Sequence, residues 1–530
     1  MGRIQDTMRC SLFILLLITG AVHAQFTAIP DPAFEESLIL HGYDTGVPDG
    51  VVLTASIDTI TSLMAFGPSQ ITDLTGIQDF AALTQLNCGF NQLVSLDLSQ
   101  NTALTDLYCE NNLLTSLDIS QNIGLTSLNC SFNQLTDLDV SPLTALEDLM
   151  CGYNPLGSID LTQNTALKLL ICYQSELVDL DLTENNALTY MRCDANDITS
   201  IDLTQNTELT VLNVGDNKIS DLDVTQNTDL LYLHCYKNQL SSLDVSQNPL
   251  LIGMTCQGNQ LAALDVTQNT ALTHIDCSNN LITTLDITQN TAFLDLKCGN
   301  NLISSLDVTH NALMYSLQCR DNLLTSLDIT QNSSMIVLHC DSNQLESIDV
   351  SQNPNLSSLF CSNNQLALID LTQNFSLDYF QCSNNQLTCL NVKNGSNTGI
   401  VYFWALNNPD LLCIEVDDVA WSDFNWNNID LWASFSADCN VSCAVDIGEH
   451  SLTNFQIYPN PAKDFITLEF GELVKAPTVT IRNILGHIVL SNTYPSTNRI
   501  TIEMDISAGL YFLEVSSNAK TIANKKVIKE

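Results

Sequence analysis

Two residue types recur along this chain at a spacing that could do chemistry. Cysteine stands at 88, 109, 130, 151, 172 and 193, then from 235 to 382, always 21 residues apart; Val214 holds the one slot it leaves. Aspartate stands at 97, 118, 139 and onward to 370, with no slot missed. A row of thiols suggests disulfides or a soft metal, and a row of carboxylates suggests a hard cation such as Ca²⁺. The thiols sit where leucine would otherwise pack. Side-by-side parallel rungs are poor geometry for a disulfide, and a line of thiolates is not a tetrahedron. Buried, unreactive thiols are therefore expected. The carboxylate row opens with Asp97, Asp118, Asp139, Asp160, Asp181 and Asp202. Like charges one strand apart repel by about 1 kcal/mol in water. Two things can offset that: hydrogen bonds from turn amides and the neighbouring Ser99, Ser120, Thr162 and Thr183, or Ca²⁺ bridging adjacent side chains. The spacing has no known calcium-loop pattern, so hydrogen bonding is expected and Ca²⁺ is the alternative. No other cofactor is expected.

A third set of positions varies. In the registers of residues 85, 87, 89 and 90 the turns differ from one another. The densest group of aromatic and charged residues there is Tyr153, Tyr173, Tyr190, Arg192, Tyr232, His234 and Tyr236. Exposed aromatics with scattered charge are what protein interfaces and sugar-binding surfaces share. This face is the expected partner-binding site for a protein or glycan. Catalysis finds no footing. There is no nucleophile elbow, no H-E-x-x-H and no Gly-rich phosphate loop, and His234, His274 and His339 lie several turns apart. The chain is read as a non-enzyme.

What positions these residues is a repeat. The unit Leu104–Gly124 reads LTDLYCENNLLTSLDISQNIG, and the register runs without a gap from about Leu83 to Gln386. Each unit has two similar halves: Leu83-x-x-Leu86-x-Cys88-x-x-Asn91-x-Leu93 and Leu93-x-x-Leu96-Asp97-Leu98-x-x-Asn101. Asn fills the Asn91 register except at Ser175, and the Asn101 register except at Leu143. Both halves alternate as strands do, and one turn alone cannot bury its leucines, so stacked turns are required. Both halves are expected to form strands. The pattern resembles the leucine-rich repeat core, and its nested form is similar to the bacterial class called IRREKO. That resemblance implies a β-rich solenoid of parallel strands and short turns, built for binding rather than catalysis.

The flanks read differently. Residues 1–24 carry Arg3 and Arg9, the apolar run Ser11–Gly20 and the small residues AVHA, a secretory signal peptide. Residues 25–82 form an N-terminal cap, helical over Asp31–Gly42, with irregular turns; 83–396 are the regular repeats. The aromatic-rich 397–443 closes the far end, and 444–454 is a linker. Cys389 and Cys413 align on neighbouring turns and are expected to form a disulfide, with Cys413–Cys439 the alternative.

From Phe455 to residue 530 the chain alternates as about seven strands, a small all-β sandwich. Its motifs are Tyr458-Pro459-Asn460-Pro461-Ala462, Gly509-Leu510-Tyr511 and Lys525-Lys526-Val527-Ile528. They resemble the C-terminal sorting domain of type IX secretion in Bacteroidetes-type bacteria. The resemblance implies passage through the outer membrane by that machinery, removal of the domain by a sortase, and a passenger that is released or held at the cell surface.

Charge sharpens the exclusions. The chain carries 17 basic and 59 acidic residues, a formal −42. Residues 25–443 hold 7 of the basic and 49 of the acidic ones, so that region alone accounts for −42. Nucleic acid and anionic membrane surfaces are repelled, and no segment after the signal is long and apolar enough to span a bilayer.

Overall fold

Alternating Leu-x-Cys segments place two side chains inward per strand and leave the residue between them outward. The computed structural model describes residues 25–65, 70–439, 455–483, 488–517 and 520–529. The signal peptide, the linker, Cys10 and Cys443 lie outside the described residues. The chain forms two compact units. The first reaches Leu345 and adds Asn355–Asn364 and Tyr379–Gln381; the second takes Glu346–Pro354, Gln365–Asp378 and the described residues from Cys382 on.

In the first unit, three-residue strands recur every 21 residues from Gln85–Asn87 to Tyr379–Gln381. Each pairs in parallel and in register with the next turn, as Leu86 with Leu107 and Leu107 with Leu128. Like positions therefore recur at roughly 4.8 Å. The central residue and the following cysteine of each strand are buried, with Leu107, Cys109, Leu128 and Cys130 fully inaccessible.

Asparagines bind turn to turn. Asn133 donates through Nδ2 to the carbonyls of Cys109 and Cys130, both at 3.0 Å, and its Oδ1 accepts from the Leu114 amide at 3.0 Å. Where Ser175 breaks this row, Asn196 Oδ1 accepts from both the Ser175 and Leu177 amides. The second row spans the other corner: Asn122 donates to Leu98 and Asn101 at 3.1 and 2.9 Å. Buried backbone carbonyls that tight turns leave unpaired thus find donors.

The two halves of a turn are not alike. In the first unit only the cysteine half forms strands, whereas the Leu-Asp-Leu half contributes a lone bridge, Asp97 to Asp118, among the described residues. The expectation of two strand-forming halves is corrected. This half is tied from turn to turn at its asparagine corner instead, Leu98 O accepting from the Asn101 amide in its own turn and from Asn122 Nδ2 in the next. In the second unit this half does become a sheet, Leu368–Asp370, Cys389–Asn391, Cys413–Glu415 and Ser434–Ser436 in parallel.

The first turn is capped by a helix, Pro32–Leu40, which buries Phe34 and Leu38. Asp31 caps it: Oδ1 accepts from the Ala33 and Phe34 amides, and Oδ2 accepts from Thr72 and Asp73. Burial opposes ionisation, but these hydrogen bonds, Thr72 foremost, hold the carboxyl below its ordinary value. At the far end Phe403 stacks on Trp426 at 4.2 Å, with Phe435 edge-on to Phe403. Of the expected aromatic cap these three are buried, while Phe424 and Trp432 face solvent. The Cys389–Cys413 disulfide is corrected too. Cys413 bonds Cys439, with Cα atoms 5.8 Å apart, and Cys389 is disulfide-bonded elsewhere. Cys389 and Cys413 do lie on paired strands, Leu390 opposite Ile414. That placement is the obstacle, since in-register neighbours point their side chains the same way.

Residues 456–529 form seven antiparallel strands in two sheets, of three and four strands. Ile466, Leu468 and Ile502 from one sheet share a core with Val479, Leu513 and Val527 from the other, the sandwich arrangement.

Candidate functional site

Four outward positions per turn make the varied face: two on the strand and two just after it. The last of them, the Phe90 register, has positive φ in every regular turn, between 47° and 72°. The left-handed conformation ends the strand and lets the amide there donate to the next turn, as Tyr153 N does to Tyr173 O at 2.9 Å. Asn, Asp or Gly, the residues that tolerate it, fill eight of the fifteen positions. Phe90, Phe132 and Tyr153 also occupy it, in the first four turns.

The Gly89 register has its own rule. A side chain there lies back over the preceding turn. Each of its glycines, Gly89, Gly152, Gly215 and Gly299, is followed one turn later by a long side chain: Glu110, Tyr173, Tyr236 and Arg320. A Cβ on Gly152 would come within 2.9 Å of the Tyr173 ring, and one on Gly215 would clash outright with the Tyr236 ring. Gly253, in the Gln85 register, similarly gives way to Tyr232, at 3.1 Å. These tyrosines are seated on glycines.

The seats carry a network. Arg192 stacks over the Tyr173 ring at 4.2 Å and donates from Nε to Asp194 Oδ1 at 2.6 Å. Asp194 is only 5% exposed; it also accepts from Asn213 Nδ2 at 3.1 Å and from the Tyr236 hydroxyl at 3.5 Å. The Asp194 hydrogen bond raises the Arg192 pKa, and burial pushes the Tyr173 and Tyr236 hydroxyls up. Phe132 stacks on Tyr153 at 4.2 Å, and Tyr153 meets Tyr173 edge-on at 5.2 Å. His234 Nδ1 lies 2.9 Å from Thr255 Oγ1; burial, helped by Arg192, lowers its pKa, although Asp194 pulls the other way.

Six of the seven expected residues therefore fall into two groups. Tyr153, Tyr173 and Arg192 join through Asp194 to Tyr236. Tyr232 and His234 share a strand and line a second pit of about 230 Å³ with Gly253, His274 and Lys297. Tyr190 shares a strand with Arg192 but belongs to neither pit. Sequence reading missed Phe90, Phe132, Asp194 and the glycines. The signal was present: a glycine followed by a bulky residue 21 positions on.

The opposite rows do other work. Every aspartate from Asp97 to Asp370 turns Oδ1 onto the amide two residues ahead, as Asp160 does to Thr162 N at 3.0 Å, with the Thr162 hydroxyl at 2.7 Å. Those bonds lower the carboxyls of the row from Asp97 to Asp328. Among the described residues no three His, Cys, Asp or Glu side chains group as a metal site. A shallow groove of about 550 Å³ runs past Asp265, Asp286 and Asp307. The registers that line it recur along the whole row, with Asp in each, so the groove follows from the repeat. The fourteen ladder cysteines are buried thiols; burial pushes Cys151, Cys235, Cys277 and Cys319 up to about 12.

In the sandwich, the three quoted motifs meet. Asn460, between Pro459 and Pro461, donates to Lys526 O at 2.8 Å and accepts from Ile528 N at 2.9 Å. The last strand, Lys520–Lys529, pairs with Gly509–Ser517, setting Gly509 opposite Lys529 and Tyr511 opposite Val527. Tyr511 closes the loop, its hydroxyl donating to Ser507 O at 2.8 Å. Tyr458, Asn460, Lys525 and Lys526 line a groove of about 360 Å³.

Residues 456–530 match the family described as the secretion system C-terminal sorting domain. The functional domain of InlJ from Listeria monocytogenes, described as including a cysteine ladder, is 27% identical over 96% of this chain and 99% of its own, with a TM-score of 0.63. A leucine-rich repeat protein of Leptospira interrogans is 20% identical over 72% of this chain and 94% of its own, at 0.50. The plant peptide hormone receptor RGFR1, in complex with RGF2, is 16% identical over 69% and 76%, at 0.53. No curated protein is similar enough to count as a relative. Among the described residues no helix is long and apolar enough to cross a membrane. The chain is a leucine-rich repeat solenoid that carries a secretion sorting domain over residues 456–530.

Proposed function

We propose that the chain is exported by type IX secretion and recognises a protein or glycan partner outside the cell through its cysteine-side strand face. A sortase then removes the sorting domain and leaves the solenoid at the surface or released. The observation that carries the recognition reading is the set of glycine seats. Solvent-facing slots that merely drift have no reason to pair Gly152 with Tyr173 and Gly215 with Tyr236. The pairing fixes large amphipathic rings in place before a partner arrives, which lowers the entropic cost of binding. The solenoid of the plant receptor named above is a peptide-hormone receptor, and fold likeness alone supports a similar role here. Binding is placed ahead of catalysis because His234 and His274 are two rungs apart, and the Asp276 and Asp295 that line the pit with them hydrogen-bond neither ring among the described residues.

The test is retention of a surface partner by the immobilised mature chain. One dominant partner, lost when Tyr190 and Tyr232 are both changed to Ala, supports the reading. Retention unchanged by those substitutions contradicts it. A structural surface component stiffened by Ca²⁺ is the second reading, favoured by the uniform aspartate row. It would have to use the second carboxylate oxygen of each aspartate, since Oδ1 already accepts the turn's hydrogen bonds.

A further inference from the structure

The pit at the N-terminal end of the varied face combines features that the fold does not ask for. Phe132 and Tyr153 sit in left-handed backbone, at φ 57° and 55°. Asn fits that slot better and occupies it at Asn111, Asn279, Asn300 and Asn363. Strained bulky residues of this kind gather at ligand clamps. Both rings are exposed, at 39% and 41%, in a slot most turns fill with polar residues. Beside them lies a pit of about 210 Å³. Phe132 and Tyr173, the apolar Met150 and Ile171, and the charged Glu110 and Arg192 line it.

Charge says what belongs there. The basic side chain on the pit, Arg192, is already neutralised by Asp194 at 2.6 Å. The acid on the pit is not matched in the same way: Glu110 lines it, and its Oε2 is buried with no hydrogen-bond donor among the described residues. Asp148, on the strand that supplies Met150, adds to the negative charge nearby. A neutral sugar can stack on the rings, but it does nothing for this excess of negative charge. A cation does both, since ring faces and carboxylates attract it together, and the apolar lining residues suit the methylene stem behind an ammonium or guanidinium. The −42 carried by residues 25–443 draws such partners in over longer range.

We infer that the Phe132–Tyr173 pit takes a lysine or arginine side chain presented by an extended segment of a protein partner. The inference deepens the recognition reading and rests on it. The probe is a short fluorescent peptide with one Lys among small residues, titrated into the full mature chain at low salt. The same peptide with Arg, with Gln, and a neutral gluco-oligosaccharide are run beside it. Lys and Arg peptides bind, the Gln peptide binds at least tenfold more weakly, and added salt weakens the interaction. Phe132→Asn with Tyr153→Asn weakens Lys-peptide binding at least tenfold. Asn is the residue other turns use in that slot, so the far-ultraviolet spectrum and melting temperature report an intact solenoid. Glu110→Gln weakens it as well and leaves the rings in place. Equal binding of Lys and Gln peptides overturns the inference, as does undiminished binding by the ring variants. Binding of the neutral oligosaccharide alone also overturns it while leaving strand-face recognition standing. If the Lys peptide binds but no surface partner depends on Tyr190 and Tyr232, the pit holds and the broader face fails.

Discussion

Each turn sets two rows side by side on one scaffold, and they behave in opposite ways. The Leu-Asp-Leu row repeats itself almost without change, and every aspartate does the same thing, accepting hydrogen bonds from the residue two ahead. The cysteine-side row keeps its inward Leu, Cys and Asn nearly constant and changes nearly everything outward. Uniformity marks what holds a turn together. Where the outward row departs from what the turn prefers, as with Phe90 and Phe132 in left-handed slots, the proposed recognition face is where a reason other than folding is sought.

The largest expected effect comes from breaking the constant part. Asn238 donates to Val214, Cys235 and Tyr236 carbonyls and accepts from the Ile219 amide. Asn238→Ala leaves those buried groups unmatched and is expected to cost about 3 kcal/mol or more in denaturant unfolding. A loss below about 1 kcal/mol breaks the claim that the asparagine rows hold the stack. Next is Gly215→Ala, whose Cβ would clash with the Tyr236 ring. It is expected to cost about 1–3 kcal/mol, and most of that should return in the double variant with Tyr236→Ala. Failure of the second change to rescue the first means that Gly215 is needed for its backbone, not as a seat.

The aspartate row is expected to respond to pH and not to calcium. Its carboxyls are lowered from the ordinary 3.8 by hydrogen bonds, as Asp118 is by Ser120. A depressed folded value stabilises above the unfolded value and loses that contribution as pH falls through the folded one. Melting temperature should therefore hold above about pH 4 and decline below it. Heating curves with calcium and with a chelator should coincide at neutral pH; a clear upward shift with calcium would restore the reading of a structural component stiffened by Ca²⁺.

Much of this was legible in sequence because a repeat states each constraint many times. The Asn91 and Asn101 registers, the buried cysteines and the Ser/Thr partners of the aspartates could be read from spacing alone. The asymmetry between half-turns could not, since Leu-x-Cys and Leu-Asp-Leu alternate identically in sequence. The Cys389–Cys413 pairing failed because a shared slot was taken as proximity, whereas a bridge needs converging side chains. Of the site, Tyr153, Tyr173 and Arg192 were legible as outliers in a varied face. Asp194 was not, because a buried acid that organises Arg192 and Tyr236 looks in sequence like one more outward polar residue.

The central claim is that aromatic residues on the cysteine-side face are kept against the preference of the fold. Its most direct measurement is the unfolding free energy of Phe90→Asn. Phe90 is 69% exposed at φ 58°, so the substitution sacrifices little burial and relieves the left-handed penalty. The account predicts a gain of about 1 kcal/mol. A loss near 3 kcal/mol, as for deleting a packed aromatic, would show that the ring serves the fold and contradict the account.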